Sequence, residues 1–279
     1  MSKEQDQSNP VERARAYYNS EDADTFYYTV WGGEDLHIGI YESDDDSIFD
    51  ASRRTVERIA EKIRNPGKEM YVLDLGAGYG GSMRYLARHY GCRAVALNLS
   101  EVENERDRDM NREQKLDGLI EVVDGSFEKL DYKDNTFDVV WSQDSFLHSA
   151  ERERVVAEAA RVLKPGGDFV FTDPMRTEDC SEEALQPILD RLHLDDLGSP
   201  DFYREAGERH GLHLLEFDEM ADQLPRHYAR VLAELERREE DLREKISADY
   251  LERMKTGLRH WVEGGRQGRL TWGIFHFSK

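Results

Sequence analysis

The chain has little that would cross-link it, anchor it or draw it to a polyanion. Its two cysteines, Cys92 and Cys180, are too few and too scattered for a disulfide framework or a zinc site. No metal-ligand spacing is visible elsewhere, and no metal is expected. No apolar run approaches membrane-spanning length, and Met1-Ser2-Lys3-Glu4-Gln5-Asp6 lacks the apolar stretch of a secretion signal. A cytoplasmic protein is expected. Positive charge is scarce: 38 Lys and Arg against 59 Asp and Glu leave a net charge of −21. Nucleic acid and anionic membranes both need basic surface, so neither is expected as a partner. Lysine is the scarcer cation, 10 against 28 arginines. That composition suits a salt-adapted protein, whose dense carboxylates keep it soluble under strong screening; a mildly acidic enzyme shares it to a lesser degree.

What is present is organised around one stretch. Tyr71-Val72-Leu73-Asp74-Leu75 is a short apolar strand ending near an acid, Gly76-Ala77-Gly78-Tyr79-Gly80-Gly81 is a tight loop, and Ser82 to Tyr90 has helical spacing. Gly76, Gly78 and Gly81 satisfy the dinucleotide fingerprint. Two neighbours argue against a nicotinamide site. Asp74 stands where such sites carry an apolar residue, and the next strand, Arg93 to Ser100, ends in Asn98 rather than the acid that holds the ribose. Acid-x-Gly-x-Gly resembles the first motif of class I methyltransferases that use S-adenosylmethionine.

The rest of the chain follows an alternating plan. Strands are expected at 70–75, 93–98, 119–123, 137–141, 168–172, 213–217 and 269–277, with helices at 81–90, 101–115, 151–163, 181–194 and 200–210 between them. This predicts a mostly parallel seven-stranded Rossmann-like α/β sheet with helices on both faces. Residues 1–65, with a disordered start over 1–9 and helices at 10–18 and 47–64, read as an N-terminal helical cap. Residues 66–279 form the main domain, with a charged helical insert at about 220–264 serving as a lid before the last strand. Glu234 to Glu240 reads as a solvated helix face with opposite charges at i,i+4.

In open α/β sheets ligands lie beyond the carboxyl ends of the strands. That rule nominates Asn98 for ribose hydroxyls, Asp124, Ser126 and Phe127 for the adenine edge and ring, and Gln143 for the methionine end. Asp74, Gly76 and Gly78 complete the cofactor set. Asp124 as a turn residue and Asn98 as a helix cap are the plainer alternatives.

Four further blocks narrow the acceptor. Gly32 to Gly39, Asp50 to Thr55, Val140 to Ser149 and Leu270 to Phe275 resemble sarcosine/dimethylglycine N-methyltransferases, and the likeness runs from about Val11 to Phe277. It implies methylation of sarcosine to dimethylglycine and of dimethylglycine to glycine betaine, an osmoprotectant, with S-adenosylhomocysteine as the other product. The His148 segment and Trp272-Gly273 also resemble phosphoethanolamine methyltransferases, in which a Tyr–His pair handles the amine. By that likeness His148 is the base or orienter and Tyr18 (or Tyr17) its partner, although His148 is also placed to cap the helix beginning near Ala150.

A quaternary product suits aromatic faces, for which Trp31, Tyr203 and Trp272 are candidates. A carboxylate suits a guanidinium: Arg226 first, then Arg53 and Arg191. Glycine or phosphoethanolamine as acceptor, and a non-catalytic S-adenosylmethionine binder, are the competing readings.

Overall fold

The structure, a computed structural model, describes residues 10–279 apart from 191 and 193. The start over 1–9 and Arg191 therefore lie outside the described residues. Seven strands form one sheet: β1 (Tyr71–Leu75), β2 (Arg93–Asn98), β3 (Ile120–Asp124), β4 (Phe137–Gln143), β5 (Leu163–Arg176), β6 (His213–Glu219) and β7 (Leu270–Ser278). Their spatial order is β3-β2-β1-β4-β5-β7-β6. The strands β1 to β5 pair in parallel, and β7 runs antiparallel to both β5 and β6. This is the class I methyltransferase fold. The order reverses between β1 and β4, so the ligand crevice belongs at their carboxyl ends.

Burial on both faces explains why the central strands β1, β2, β4 and β5 carry continuous apolar runs, while the edge strands β3 and β6 are partly exposed. Leu73, Val95, Val140 and Phe171 pack into one core, whereas Val72, Ala94, Val139 and Val170 pack into the other. Each such side chain contributes roughly 1.5–3 kcal/mol by leaving water.

The remaining elements are helices. Before the sheet come α1 (Pro10–Tyr18), α2 (Glu21–Trp31) and α3 (Ile48–Ala60). Ser20 and Ser47 accept the N–H groups of Ala23 and Asp50, so α2 and α3 start on side-chain caps. Within the sheet lie α4 (Gly81–Tyr90), α5 (Glu101–Glu113), α6 (Arg152–Val162), α7 (Glu182–Leu189) and α8 (Pro200–Arg209). Between β6 and β7 come α9 (Gln223–Arg237), α10 (Glu239–Leu242) and α11 (Ala248–Arg266). A third core, with Phe26, Trp31, Leu224, Val231, Trp261 and Trp272, joins α2 to α9 and α11. The N-terminal helices are thus fixed against the late ones.

Some boundaries differ from the sequence expectation. The helix expected over 181–194 ends at Leu189, whose carbonyl accepts from both Leu192 and Leu194 as the chain turns out of the helix. The helix face expected over Glu234 to Glu240 divides at Arg238, which leaves helical geometry at φ −99° and ψ 7°.

Candidate active site

One cleft of about 960 Å³ opens at the carboxyl ends of β1, β2 and β4. The glycine loop forms its floor. Gly76, Gly78 and Gly80 take φ of 84°, 55° and 74°, a region that side chains disfavour. At Gly76 the need is also steric: a Cβ there would stand 2.3 Å from the Ser145 hydroxyl, which bonds the Gly76 carbonyl. At Gly78 a Cβ would meet only Leu36, at 3.7 Å, so the glycine opens the loop toward the cleft. Asp74 lines the same floor and is buried; burial, and then the Asp107 carboxylate, push its carboxyl well above the usual range.

Gln143, at the end of β4, is fixed in orientation. Its Oε1 accepts from the Ser82 hydroxyl and, at 3.0 Å, from the Trp141 indole N–H. An indole nitrogen only donates, so the amide cannot be turned round. Its Nε2 is left buried with no partner, on a residue that lines the cleft.

Asn98 lines the cleft as expected, and it is held by an acid the sequence reading passed over. Its Nδ2 donates to Glu103 Oε2 at 2.8 Å. Glu103 is buried, lines the cleft, and burial pushes its carboxyl up to about 7, against the opposing Asn98 hydrogen bond. The sequence signal was there. Ser100-Glu101-Val102-Glu103 has the capping-box pattern, and Ser100 does cap the Glu103 N–H at 3.2 Å. The glutamate side chain, however, turns to Asn98, so the acid missing from the end of β2 comes from the first turn of α5.

Gly125, Ser126 and Phe127 line the wall beyond β3, and Phe127 meets Phe146 edge-on at 5.8 Å. Asp124 does not reach the cleft. Asn104 Nδ2 (2.6 Å) and Arg108 (2.8 Å) occupy its carboxylate, and these bonds hold its pKa below the ordinary value despite partial burial.

The opposite wall comes from the N-terminal helices. The Tyr18 hydroxyl lies 2.8 Å from His148 Nε2, and both residues line the cleft with Tyr27 and His37. The pair joins α1 to the 3-10 turn Phe146–His148. Tyr17 instead points to Tyr250 at 3.2 Å. Asp144 stands between the two walls at φ 51°, a strained setting for a residue with a side chain. Its carboxylate accepts the Ile38 N–H at 2.6 Å and the Trp272 indole N–H at 2.7 Å, and burial raises its pKa to about 6.

The other acceptor-side candidates lie away from the cleft. Trp272 is fully buried behind Asp144. Tyr203 is fully buried and donates to Asp173 at 2.7 Å. Trp31 is buried in the helical core, with its indole N–H on the His37 carbonyl at 3.2 Å. Arg53 pairs with Glu34 at 3.0 Å and Asp35 at 2.8 Å. Arg226 bonds the Tyr41 carbonyl and the Asp44 carboxylate, each at 2.8 Å. The two guanidinium groups, and the polar atoms of the three aromatics, are each engaged by the partners named. Of the described residues lining the cleft, Asp74, Glu103, Glu128 and Asp144 are acidic, and none is Lys or Arg.

Comparison with known proteins gives a consistent picture. Residues 73–171 match the family model described as a methyltransferase domain. The sarcosine/dimethylglycine N-methyltransferase of Halorhodospira halochloris is 61% identical over 269 residues, covering 96% of each chain. A crystal structure from Galdieria sulphuraria, reported as a candidate sarcosine dimethylglycine methyltransferase, superposes with a TM-score of 0.89 at 43% identity, covering 94% of this chain and 98% of that one. The phosphoethanolamine N-methyltransferase 2 of Haemonchus contortus, solved with phosphomonomethylethanolamine and S-adenosylhomocysteine, has a TM-score of 0.82 at 16% identity. It is covered to 60%, against 97% of this chain, and the likeness is one of fold.

Proposed function

The chain belongs to the sarcosine/dimethylglycine N-methyltransferase family, and we propose that it methylates sarcosine to dimethylglycine and dimethylglycine to glycine betaine with S-adenosylmethionine. One observation carries the reading: a Tyr18–His148 hydrogen bond of 2.8 Å on the wall of a cleft floored by the glycine loop.

The residues present fit the cofactor. The unpartnered Gln143 amide supplies buried N–H donors for a carboxylate. Asp74 and Glu103 offer acceptors for an ammonium and for ribose hydroxyls, Gly78 keeps the loop open, and Leu99 and Phe127 give apolar cover. When bound, the cofactor supplies an electrophilic methyl group on a positively charged sulfur.

The protein's own part is to deliver a neutral amine in a fixed orientation. Dimethylglycine is an ammonium at neutral pH, and the acids of the cleft favour its entry in that form. The proton must then leave. A proton reaching the Tyr18 oxygen can pass along the same hydrogen bond to His148 Nε2. Asp144, held by two donors, adds a carboxyl group to the same lining. Fixed walls from α1, β4 and the glycine loop hold the acceptor for in-line attack, and orientation of that kind removes a large part of the barrier. The absence of Lys and Arg from the described lining disfavours a phosphobase, whose dianionic phosphate needs them.

The test is a product-resolved assay with S-adenosylmethionine and glycine, sarcosine, dimethylglycine or phosphoethanolamine, read by mass. Betaine formed from both sarcosine and dimethylglycine supports the reading. Cofactor binding without any N-methyl product would overturn it.

A further inference from the structure

The acceptor has a second charged end that the cleft does not visibly meet. Sarcosine and dimethylglycine carry a carboxylate one carbon from the nitrogen, yet the described lining has four acids and no Lys or Arg. Neutral donors must do the work. Gln143, Asn98 and Ser126 surround the glycine loop on the cofactor side, and Tyr18 is engaged with His148. His37 stands out among what is left.

We propose that His37 is the residue that recognises the acceptor's carboxylate, by donating an imidazole N–H to it from the wall beside Asp144; this rests on the reading of the cleft as an amino-acid N-methyltransferase site. The side chain lines the cleft and is 6% exposed, and neither Nδ1 nor Nε2 makes a hydrogen bond of good geometry, the Ile38 backbone being the one hydrogen-bonding group that bears on the ring. The nearest carboxylate, Asp35 Oδ1, lies 3.9 Å from Nε2, too far for a bond. Buried polar groups are rarely left so, and the exceptions call for an explanation. A ligand oxygen supplies one.

The position is rigid. The His37 carbonyl accepts from Trp31 Nε1 at 3.2 Å and from the Ser52 hydroxyl at 3.0 Å. The next residue, Ile38, gives its N–H to Asp144 at 2.6 Å, which fixes His37 relative to that carboxylate. An acceptor whose ammonium faces Asp144 and the Tyr18–His148 pair therefore has its carboxylate a few bonds away, on the His37 side. Arg53 lies 2.8 Å from Asp35 and 3.0 Å from Glu34, so it offsets part of the negative charge beside His37. Burial, and then Arg53, lower the imidazole to about 3 against the opposing Ile38 backbone. A neutral imidazole still carries one N–H to donate.

The whole enzyme with saturating S-adenosylmethionine tests this. Wild-type turnover of dimethylglycine is measured first; its absence would remove the reading of the cleft itself. His37→Leu deletes the donor at similar volume, and His37→Gln keeps an N–H. The expected result is a KM for dimethylglycine raised about ten- to hundredfold in His37→Leu, the loss of a hydrogen bond to a charged group. The kcat should change far less, and His37→Gln should recover most of the affinity. In wild type, the ¹⁵N signals of the His37 ring should move on adding dimethylglycine with S-adenosylhomocysteine. They should stay in place with 2-(dimethylamino)ethanol, which lacks the carboxylate. That readout needs no destabilising variant. Unmoved signals at saturating dimethylglycine, or an unchanged KM in a folded His37→Leu enzyme, would overturn the proposal. So would a KM loss confined to Arg152→Gln, which would put the carboxylate in the neighbouring cavity behind His148. There Arg13 and Arg152 each bury an unpartnered Nε–H.

Discussion

Glu103 offers the sharpest quantitative test, because one substitution removes its charge while keeping its hydrogen bond. Its carboxyl sits at about 7 instead of the ordinary 4.5, chiefly because its side chain is buried and must lose hydration to ionise. The folded protein therefore binds this proton more tightly than the unfolded chain does. The stabilising contribution is fully present below 4.5 and is lost as pH rises through 7. At about 1.4 kcal/mol per pH unit, the gap corresponds to roughly 3 kcal/mol. In Glu103→Gln the side-chain oxygen still accepts from Asn98 Nδ2, and nothing titrates. The ligand-free variant should match wild type near pH 4.5 and exceed it by about 3 kcal/mol at pH 8, or roughly 6–12 °C in Tm. Urea unfolding at pH 5, 6, 7 and 8 measures both curves. The same variant should bind S-adenosylhomocysteine about ten- to hundredfold more weakly, having lost a charged acceptor. Stability would thus be gained where ligand binding is lost. Parallel stability profiles from pH 5 to 8 would refute the reasoning.

Other outcomes follow from the same geometry. His148→Ala and Tyr18→Phe should each lower kcat for dimethylglycine about 10²- to 10⁴-fold, and both should alter the pH dependence of kcat; a full pH profile checks this. Gln143→Leu should weaken S-adenosylhomocysteine about ten- to hundredfold in calorimetry, and should also destabilise the fold by about 1–3 kcal/mol, because the Trp141 N–H and Ser82 hydroxyl lose their acceptor. Gly76→Ala combines a left-handed backbone with a 2.3 Å approach to Ser145 Oγ. Together these should cost about 2–5 kcal/mol in urea unfolding.

The sheet was legible because its central strands β1, β2, β4 and β5 are buried on both faces, and such strands announce themselves as apolar runs between glycine and proline turns. The cofactor floor was legible for a related reason. A loop that must turn at positive φ three times in five residues, at Gly76, Gly78 and Gly80, has only glycine to do it with. Glu103 escaped notice because its spacing from Ser100 already has a complete explanation as a helix start, and only coordinates show the carboxylate turning to Asn98. Asp144 was hidden by its local sequence. A positive φ at an aspartate, and the indole of Trp272 arriving from 128 residues away, are tertiary facts with no local signal.

The arginines stand apart from the cleft lining, and the composition contains the reason. With 59 acids to 38 Lys and Arg, a guanidinium in this chain has an abundance of carboxylates within its own fold to meet. Arg53 is taken by Glu34 and Asp35, Arg84 by Glu34 and Asp107, and Arg226 by Asp44. Chemical need alone, a carboxylate in search of a cation, selects such residues from the sequence and cannot see that they are spent. An acid-rich chain that handles a zwitterion therefore has reason to read the anionic end with neutral donors. Arg226 puts that to the test. Its pair with the fully exposed Asp44 is a surface ion pair, a kind that contributes about 0–1 kcal/mol. Arg226→Gln should leave the KM for dimethylglycine within about twofold, since such a pair is remote from the acceptor, while an arginine that held the carboxylate would take KM up about ten- to hundredfold on removal. A rise of that size in Arg226→Gln would mean that α9 moves into the cleft when substrate binds, and that the acceptor is read by charge after all.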